Sequence, residues 1–425
     1  MATTANVIEA LKYTYGTDRV LELFNQESPT FNLLARVKKP MGGRGQFLMP
    51  LMVQHGGAFA GITEGGALPA TLQPDTAEAS FSLQEFVGMY DITWKLLQDS
   101  RTSKFAFQQA ITMLDEGLKN RIMKNLNSDL VDNGKGRLAV LPAADNTSPI
   151  TVNALPRLET GMVCDIMAVS DDDTKRGDSL TITGVDQIAR TVKTGANPAG
   201  TAAGDYFVIQ DTCDVTSNNP AYHTHGLLSA ISNANPAAVV GNYGGLNRAT
   251  AGQEFWISPV LSNSGTNRPL TEDLLLQALD AIREKGGGKC DAILSNLAIV
   301  RRYHEMLRAE SFFALSAMTP IGGGLGRKNM DGKSDVGATP YEFSGIPWHV
   351  DPYFNANTIV GMDTSHFFLG VGENEVPRPI SEIFENVPFF RQTTSALFEV
   401  AWYYQLELVS DNCAAGFQIQ DVAES

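Results

Sequence analysis

Residues 56–69 read GGAFAGITEGGALP and hold five glycines in fourteen positions. Glu64 is the only charged residue among them. So many glycines disfavour both a helix and a core strand, because each glycine loses much conformational freedom when it is ordered. The stretch is also too apolar for a solvated linker. We therefore predict the flexible tip of a protruding structure.

The flanking segments predict two long strands around this tip. The outgoing segment is QFLMPLMVQH (46–55), and the returning one is AEASFSLQEFVGMYDITWKLLQDS (77–100). Around residues 80–87 the returning segment has a rough period-two alternation of apolar and polar residues, which is typical of a strand. A β-hairpin of this length cannot bury both of its faces within its own subunit, so we expect other protein to cover one.

The composition permits large hydrophobic cores and disfavours several classes of protein. The chain has 425 residues, of which 43% are hydrophobic and 19% charged. A net charge of −15 disfavours a protein that coats nucleic acid. The four cysteines are far apart, and the N-terminal residues lack the pattern of a signal peptide, so we expect synthesis in a reducing cytoplasm. No apolar run is long enough for a membrane-spanning helix.

Residues 1–45 read as an N-terminal arm. Their apolar side chains are too many for so short a segment to bury by itself, so they need cover from other protein. The arm residues that we expect at an intersubunit interface are Leu23, Phe24, Phe31 and Leu34.

Residues 101–133 carry the clearest helical pattern. Apolar residues recur every three or four positions from Phe107 to Leu130 along one stripe. The other faces carry Lys119, Arg121 and Lys124. These three cations either face nucleic acid or belong to a solvated helix face, and the sequence leaves both interpretations open.

The following segment changes character and then returns to a mixed pattern. Residues 145–222 are rich in short strand-like runs and acidic residues, which predicts an inserted small β-domain. In 223–390, a helix is predicted after an N-capping Thr271, with Gly286 just past its end. A glycine-rich loop follows at 316–340.

Motifs for chemistry are weak. GRKNMDGKS (326–334) departs from the spacing of a phosphate loop and follows no buried strand. His223 and His225 either offer two imidazoles to a metal or form a polar turn. SDDDTKRGDS (170–179) lacks the ligand spacing of a calcium loop, and no G-x-S-x-G nucleophile motif occurs. Nothing in the sequence argues positively for an enzyme.

The order of these parts resembles the major capsid protein of tailed bacteriophages, with the Hong Kong 97-type fold. The resemblance covers nearly the whole chain. ESPTFNLLARV is similar to the family's N-terminal arm, the glycine tip with its flanks to the extended loop, and FAFQQAITMLDEGLKNRIMKNL to the spine helix. GLLSAI, LTEDLLLQALDAIREKGG, CDAILSNLAIVRRYHEML and FSGIPWHVDP resemble the axial domain, whereas DTSHFFLGV and SALFEVAWYYQLELV resemble the closing strands.

The resemblance implies an α+β Hong Kong 97-type capsid fold whose parts can be placed on the chain. They are an arm at 1–45, an extended β-hairpin loop at 46–80, a peripheral domain with the spine helix at 81–144, the inserted β-rich domain at 145–222, a return to the peripheral domain and then the axial α/β domain at 223–390, and closing strands at 391–425.

It also implies a function, namely self-assembly into an icosahedral shell around phage double-stranded DNA. We expect no catalytic, cofactor-binding or metal-binding residues. The expected interface residues outside the arm lie in the extended loop and in the axial loop: Gly56, Gly57, Phe59, Gly61, Ile62, Gly65, Gly66, Leu68, Gly322, Gly323, Gly324 and Gly326.

The expected partners are other copies of the chain as pentamers and hexamers, a portal protein and packaged DNA held by non-specific contact, with no membrane. Because the arm starts almost directly after Met1, without the charged helical extension that some members cleave off, a separate scaffolding protein is also expected. The expected location is the virion capsid, assembled in the host bacterial cytoplasm.

Two alternatives remain from the sequence. One is an encapsulin-type bacterial compartment, which shares the fold but encloses cargo enzymes. The other, less favoured, is a metal- or nucleotide-dependent enzyme built on the α/β region.

Overall fold

The structure is a computed structural model. It describes residues 29–38, 46–61, 66, 70, 73–93, 104–153, 157–169, 175–213, 222–237, 240–286, 288–314, 341–372, 378–379, 390–391 and 397–424.

The N-terminal part holds a short helix, an edge strand and the predicted hairpin. Helix α1 (Pro29–Leu33) leads into strand β1 (Ala35–Lys38). Strands β2 (Gln46–Gln54) and β3 (Asp75–Ser82) then pair antiparallel as a two-stranded ribbon, with Phe47 opposite Phe81. The extended hairpin predicted from the glycine tip is confirmed.

The spine helix follows a long strand. Strand β4 (Gln84–Thr93) leaves the ribbon, and helix α2 (Lys104–Leu130) runs for 27 residues. Its C-terminal turns are buried, with Leu126 and Leu130 almost inaccessible to solvent.

The next six strands form one sheet with its own core. They are β5 (Ala139–Val140), β6 (Ile150–Thr151), β7 (Val163–Met167), β8 (Lys175–Asp186), β9 (Thr191–Thr194) and β10 (Tyr206–Ile209), in the order β5-β10-β7-β8-β9-β6. The amide of Asn153 donates to the carbonyl of Val140 at 2.9 Å, which links the two ends of the sheet into a nearly closed barrel. Apolar side chains including Ile150, Ile166 and Phe207 fill it.

The barrel is entered and left at one place. The amide of Leu138 donates to the carbonyl of Phe207 at 2.8 Å. Gly136 lies against the His223 ring, and a Cβ at this position would lie 2.2 Å from Nε2. The barrel includes β5 and therefore begins before residue 145, the start predicted from the sequence. The prediction missed β5 because this strand pairs with the distant β10, which leaves no local signal in the sequence.

The rest of the chain builds an α/β unit and the closing strands. The helices are α3 (Leu227–Ala230), α4 (Glu272–Lys285) and α5 (Leu297–Ala314). The strands are β11 (Val260–Leu261), β12 (Ala292–Ser295), β13 (Tyr341–Phe343), β14 (Ile346–Val350), β15 (Ile359–Met362), β16 (Phe367–Val371), β17 (Arg378–Pro379), β18 (Phe390–Arg391), β19 (Leu397–Ser410) and β20 (Gly416–Ile419).

Two six-stranded sheets organise these elements. One has the order β11-β20-β15-β12-β14-β13 and packs against α4 and α5. The other is built on β19, which pairs with β4, β16, β17 and β18, while β1 pairs with β16 at its edge. Because β4 and β16 both pair with the 14-residue β19, the spine region and the C-terminal part of the chain share one sheet.

Helix α4 begins and ends close to the predicted positions. The Thr271 side chain accepts a hydrogen bond from the Leu274 amide at 3.3 Å, as an N-cap does. Gly286 is the C-cap, but its φ of −96° lies in the right-handed region, so a left-handed turn is not the reason for glycine. The reason is close packing, since a Cβ there would lie 2.2 Å from the Ala414 carbonyl oxygen.

We expect Gly286→Ala to destabilise the subunit by roughly 1–3 kcal/mol, because the backbone at Ala414 must move to admit a methyl group. Gly117→Ala is the matched control. A Cβ at Gly117 meets nothing within 4 Å, so alanine in this helix should stabilise by about 0.5–1 kcal/mol. Denaturant unfolding of the two variants measures both changes, and equal effects would contradict the packing argument.

Candidate intersubunit surfaces and a buried polar joint

The hairpin has one covered and one open face. Phe47 and Ala79 are buried, and Met49 and Leu51 pack against the chain's own main core. On the opposite face of β2, Leu48 and Met52 are exposed. The ribbon therefore lies on its own subunit through one face and presents apolar side chains on the other.

The tip of the hairpin is open as well. Phe59 is fully exposed, and Gly56, Gly57 and Gly61 are exposed beside it. Gly57 has a φ of +107°, a backbone conformation that residues other than glycine rarely adopt. Gly66 is also exposed, whereas the predicted interface residues Ile62, Gly65 and Leu68 lie outside the described residues.

A second apolar surface lies on β4. Gly88 faces the spine helix, since a Cβ there would lie 2.7 Å from Ile122 and 2.9 Å from Leu118. Its neighbours Val87 and Met89 point to the opposite side and are 56% and 53% exposed. They are not among the interface residues predicted from the sequence.

The arm prediction needs a correction. Phe31 and Leu34 are 0% and 2% exposed, and they pack in the chain's own main core. The edge of Phe31 also meets the Tyr404 ring, with centroids 6.5 Å apart. The prediction that other protein covers these two side chains is wrong, because α1 is folded into the subunit. Leu23 and Phe24 lie outside the described residues, as do Gly322, Gly323, Gly324 and Gly326.

A buried polar joint anchors α1. The carboxylate of Asp351 accepts hydrogen bonds from the Thr30 hydroxyl at 2.6 Å and the Asn127 amide nitrogen at 2.9 Å. The Tyr353 backbone amide donates to its other oxygen at 2.8 Å. Burial raises the pKa of Asp351, and these donors offset only part of that effect. Helix α1, which we call the arm root, therefore meets the end of the spine helix and the segment after β14 at one carboxylate.

Two arginines complete the joint. Arg137 pairs with Asp132, with its Nη2 atom 2.7 Å from Oδ1. Arg157, from the barrel, donates to the carbonyls of Tyr353 and Arg137. Burial would raise the pKa of Asp132, but the two guanidinium groups outweigh it and lower the pKa to about 2.

His223 contributes a further charge-assisted contact. Its Nδ1 lies 2.9 Å from Asp129 Oδ2, and both residues are buried. Burial alone would lower the pKa of His223, but the Asp129 carboxylate raises it above its ordinary value. His225 instead contacts Ser229 through Nδ1 at 3.1 Å, and burial lowers its pKa to about 4. The two imidazoles thus take different protein partners.

The cations of the spine helix divide into two groups. Lys119 and Arg121 are exposed. Lys124 forms an ion pair with Glu159 and lies 5.9 Å from the centroid of the Tyr353 ring. Lys124 is therefore part of the contact between α2 and the barrel rather than of an open helix face.

Within the part of the chain that the structure describes, one group of three acidic residues has the spacing of a metal site. Oxygen atoms of Asp165, Asp178 and Asp211 lie within 4.8 Å of one another. The Lys175 ammonium lies at the centre, 3.0, 3.4 and 3.0 Å from the three carboxylates in that order. A protein cation thus occupies the centre of the cluster and offsets part of its negative charge. No helix among the described residues is long and apolar enough to cross a membrane.

Comparison with known proteins gives one family and a set of similar folds. The model of the SU10 major capsid protein family matches residues 205–378. No curated protein matches the chain. The capsid asymmetric unit of Cyanophage A-1(L) is 16% identical, with a TM-score of 0.55 and 96% of each chain covered.

Two further solved structures are less similar. The capsid of a native GTA particle is 12% identical, with a TM-score of 0.45 over 97% of this chain and 98% of that one. The holo-SrpI encapsulin complex from Synechococcus elongatus is 8% identical, with a TM-score of 0.44 over 98% and 96%. Of these three, the cyanophage capsid alone exceeds 0.5, and it shows the shared fold, which is the Hong Kong 97-type predicted from the sequence.

The low pKa of Asp132 predicts a defined pH dependence. A folded-state pKa of about 2, against an ordinary value of 3.8, stabilises the subunit above about pH 4. This contribution, roughly 2 kcal/mol, is lost as the pH falls from about 4 towards 2. Asp132→Asn should therefore cost most at pH 7 and progressively less towards pH 2.

Denaturant unfolding of wild type and variant at pH 7, 4 and 2 measures this difference. Asp280→Asn, at an exposed position of α4, is the control and should change the free energy of unfolding little at any pH. A deficit in Asp132→Asn that is the same at pH 2 as at pH 7 would contradict the assigned ion pairs.

Proposed function

We propose that the chain assembles with copies of itself, as pentamers and hexamers, into an icosahedral shell that encloses phage double-stranded DNA. The proposal starts from the chain being a major capsid protein with the Hong Kong 97-type fold. The observation that carries this proposal is the hairpin, which packs on its own subunit through one face and leaves its other face and its tip apolar and exposed.

Exposed apolar strands are a hazard for an isolated protein. The edges of the ribbon pair with no other strand among the described residues, and Leu48, Met52 and Phe59 are exposed. Such a ribbon favours aggregation unless another surface covers it. In a closed shell, symmetry-related copies cover the same surface on every subunit. We infer that Val87 and Met89 on β4 belong to the same set of contacts, because they form a second apolar surface that their own subunit leaves open.

The glycine tip fits this role through its conformational freedom. A shell places identical chains in pentamers and hexamers, so the same tip must adopt slightly different bends. Gly56, Gly57 and Gly61 permit this at little steric cost. We therefore retain the tip glycines, with Gly66 and the loop positions outside the described residues, as proposed interface residues.

Contact with DNA is proposed for the two exposed spine cations, Lys119 and Arg121. A net charge of −15 is compatible with this role, because a strongly binding inner wall would hinder packing and release of the DNA. A portal protein and a separate scaffolding protein complete the proposed partners, and the host bacterial cytoplasm is the proposed place of assembly. We assign the chain no catalytic role.

The function is tested by expressing the chain and examining the product by negative-stain electron microscopy. Wild type, with scaffolding protein where needed, should give closed shells. Met89→Asp should give a folded subunit without shells, because a buried, unpaired carboxylate would oppose the contact. Deletion of residues 56–69 should have the same result.

Ile188→Asp is the matched control. Ile188 is exposed at a turn of the barrel, so this variant introduces the same charge away from the two apolar surfaces, and shells should form. Circular dichroism and thermal unfolding confirm that each subunit is folded. Normal shells from both Met89→Asp and the tip deletion would contradict the proposed contacts, and a co-purifying cargo enzyme in place of DNA-packaging proteins would favour a compartment shell.

We further expect the shell to be held without covalent cross-links. An isopeptide bond from the extended loop requires a lysine amine, and no lysine occurs between Lys39 and Lys95. The cysteines Cys164, Cys213 and Cys413 are buried. Boiled mature particles should give a single band near 45.9 kDa on a denaturing gel. A ladder of oligomers that resists heat and reductant would overturn this expectation.

A further inference from the structure

The joint around Asp351 gathers segments that are far apart in the sequence. Thr30 is 321 residues from Asp351, and Asn127 is 224 residues from it. The side-chain oxygen of Asn127 also accepts a hydrogen bond from the Phe31 backbone amide at 3.0 Å. Helix α1 is therefore attached twice, once to the Asp351 carboxylate directly and once through Asn127.

The barrel reaches this joint through Arg157, which is 6% exposed. Its Nε donates to the Tyr353 carbonyl at 3.1 Å, and a second guanidinium nitrogen donates to the same oxygen. A third nitrogen donates to the Arg137 carbonyl at 2.5 Å. The planar fork of donors thus holds the segment after β14 against the chain that enters the barrel at Arg137, a geometry that the ammonium of a lysine cannot reproduce.

The joint brings several buried charged groups together. Three buried carboxylates, Asp129, Asp132 and Asp351, lie together near Arg137, Arg157 and His223. Arg157 interacts electrostatically with all three carboxylates. Removal of one member leaves a buried charge without its counterion, which is costly even where the whole set is nearly neutral.

We propose that Arg157 is a positioning residue through which the inserted barrel holds the root of the N-terminal arm. The path runs from the guanidinium to the Tyr353 carbonyl, from the Tyr353 amide to the Asp351 carboxylate, and from that carboxylate to Thr30. The barrel thereby fixes the position of α1 in the subunit. The inference concerns the folded subunit and holds whether or not shells form.

Hydrogen–deuterium exchange of the subunit tests this coupling. The reporter is the peptide that covers α1, where the amides of Phe31 and Leu34 are hydrogen-bonded. In Arg157→Met we expect exchange in this peptide to increase at least tenfold, while strands β7 and β10 in the barrel keep their protection. Arg157→Lys keeps the charge but not the fork and should give an intermediate increase. Arg190→Met, at an exposed position of the same barrel, is the control and should change neither region.

A second variant tests the path itself. Thr30→Val removes the hydroxyl that donates to Asp351 at nearly constant volume, and it should loosen α1 by a similar factor. If both residues act through Asp351, the double variant Thr30→Val/Arg157→Met should exchange no faster in α1 than the faster single variant. Multiplying effects would overturn the common path.

Two other outcomes would also overturn the inference. One is that α1 in the Arg157→Met variant exchanges at the wild-type rate. The other is loss of protection in the barrel of both Arg157 variants, which would make Arg157 a residue for folding of the barrel rather than for holding the arm. The assay for shell formation is independent of this exchange experiment. Variants with a loosened arm root can still be examined for particles beside Met89→Asp.

Discussion

A cluster of buried charges is the constraint on which this subunit depends. A carboxylate inside a protein is tolerated only where cations and hydrogen-bond donors surround it, and here those groups come from the arm root, the spine helix, the barrel and the segment after β14. None of these parts can satisfy the carboxylates alone. The cost of an incomplete set therefore favours a single relative arrangement of the four parts, whereas their apolar contacts alone would tolerate small shifts.

Local signals in the sequence were sufficient for much of the fold. The glycine tip and its alternating flanks predicted the hairpin, and the regular apolar stripe predicted the spine helix, which the structure bounds at Lys104–Leu130. Thr271 predicted a helix start because an N-cap acts within one turn. Gly286 marked a helix end correctly but for another reason, since its conformation is ordinary and its neighbour Ala414 comes from a distant part of the chain.

The candidate surfaces depend on contacts that no local pattern contains. Phe31 and Leu34 belong to a segment too short to bury them alone, and only the folded chain shows that their own core accepts them. The alternation on β4 separates two faces, but the covered face is decided by the approach of Ile122 and Leu118 to Gly88. The residues of the joint have no common spacing, because Thr30, Asn127, Arg157 and Asp351 meet through tertiary structure alone.

The barrel begins and ends at one point of the subunit, where Gly136 touches His223. A domain whose two ends lie side by side can be inserted or deleted as one unit, because the flanking ends of the host chain lie close enough to be joined without rearrangement. Arg157 makes that exchange unequal in its two directions. A host chain without the barrel must manage without this cation, whereas loss of the barrel from the present chain takes Arg157 away from Asp132 and Asp351 unless they too are replaced. Once these acids rely on the barrel, lineages are expected to retain it by an evolutionary ratchet, even where its exposed surface changes freely.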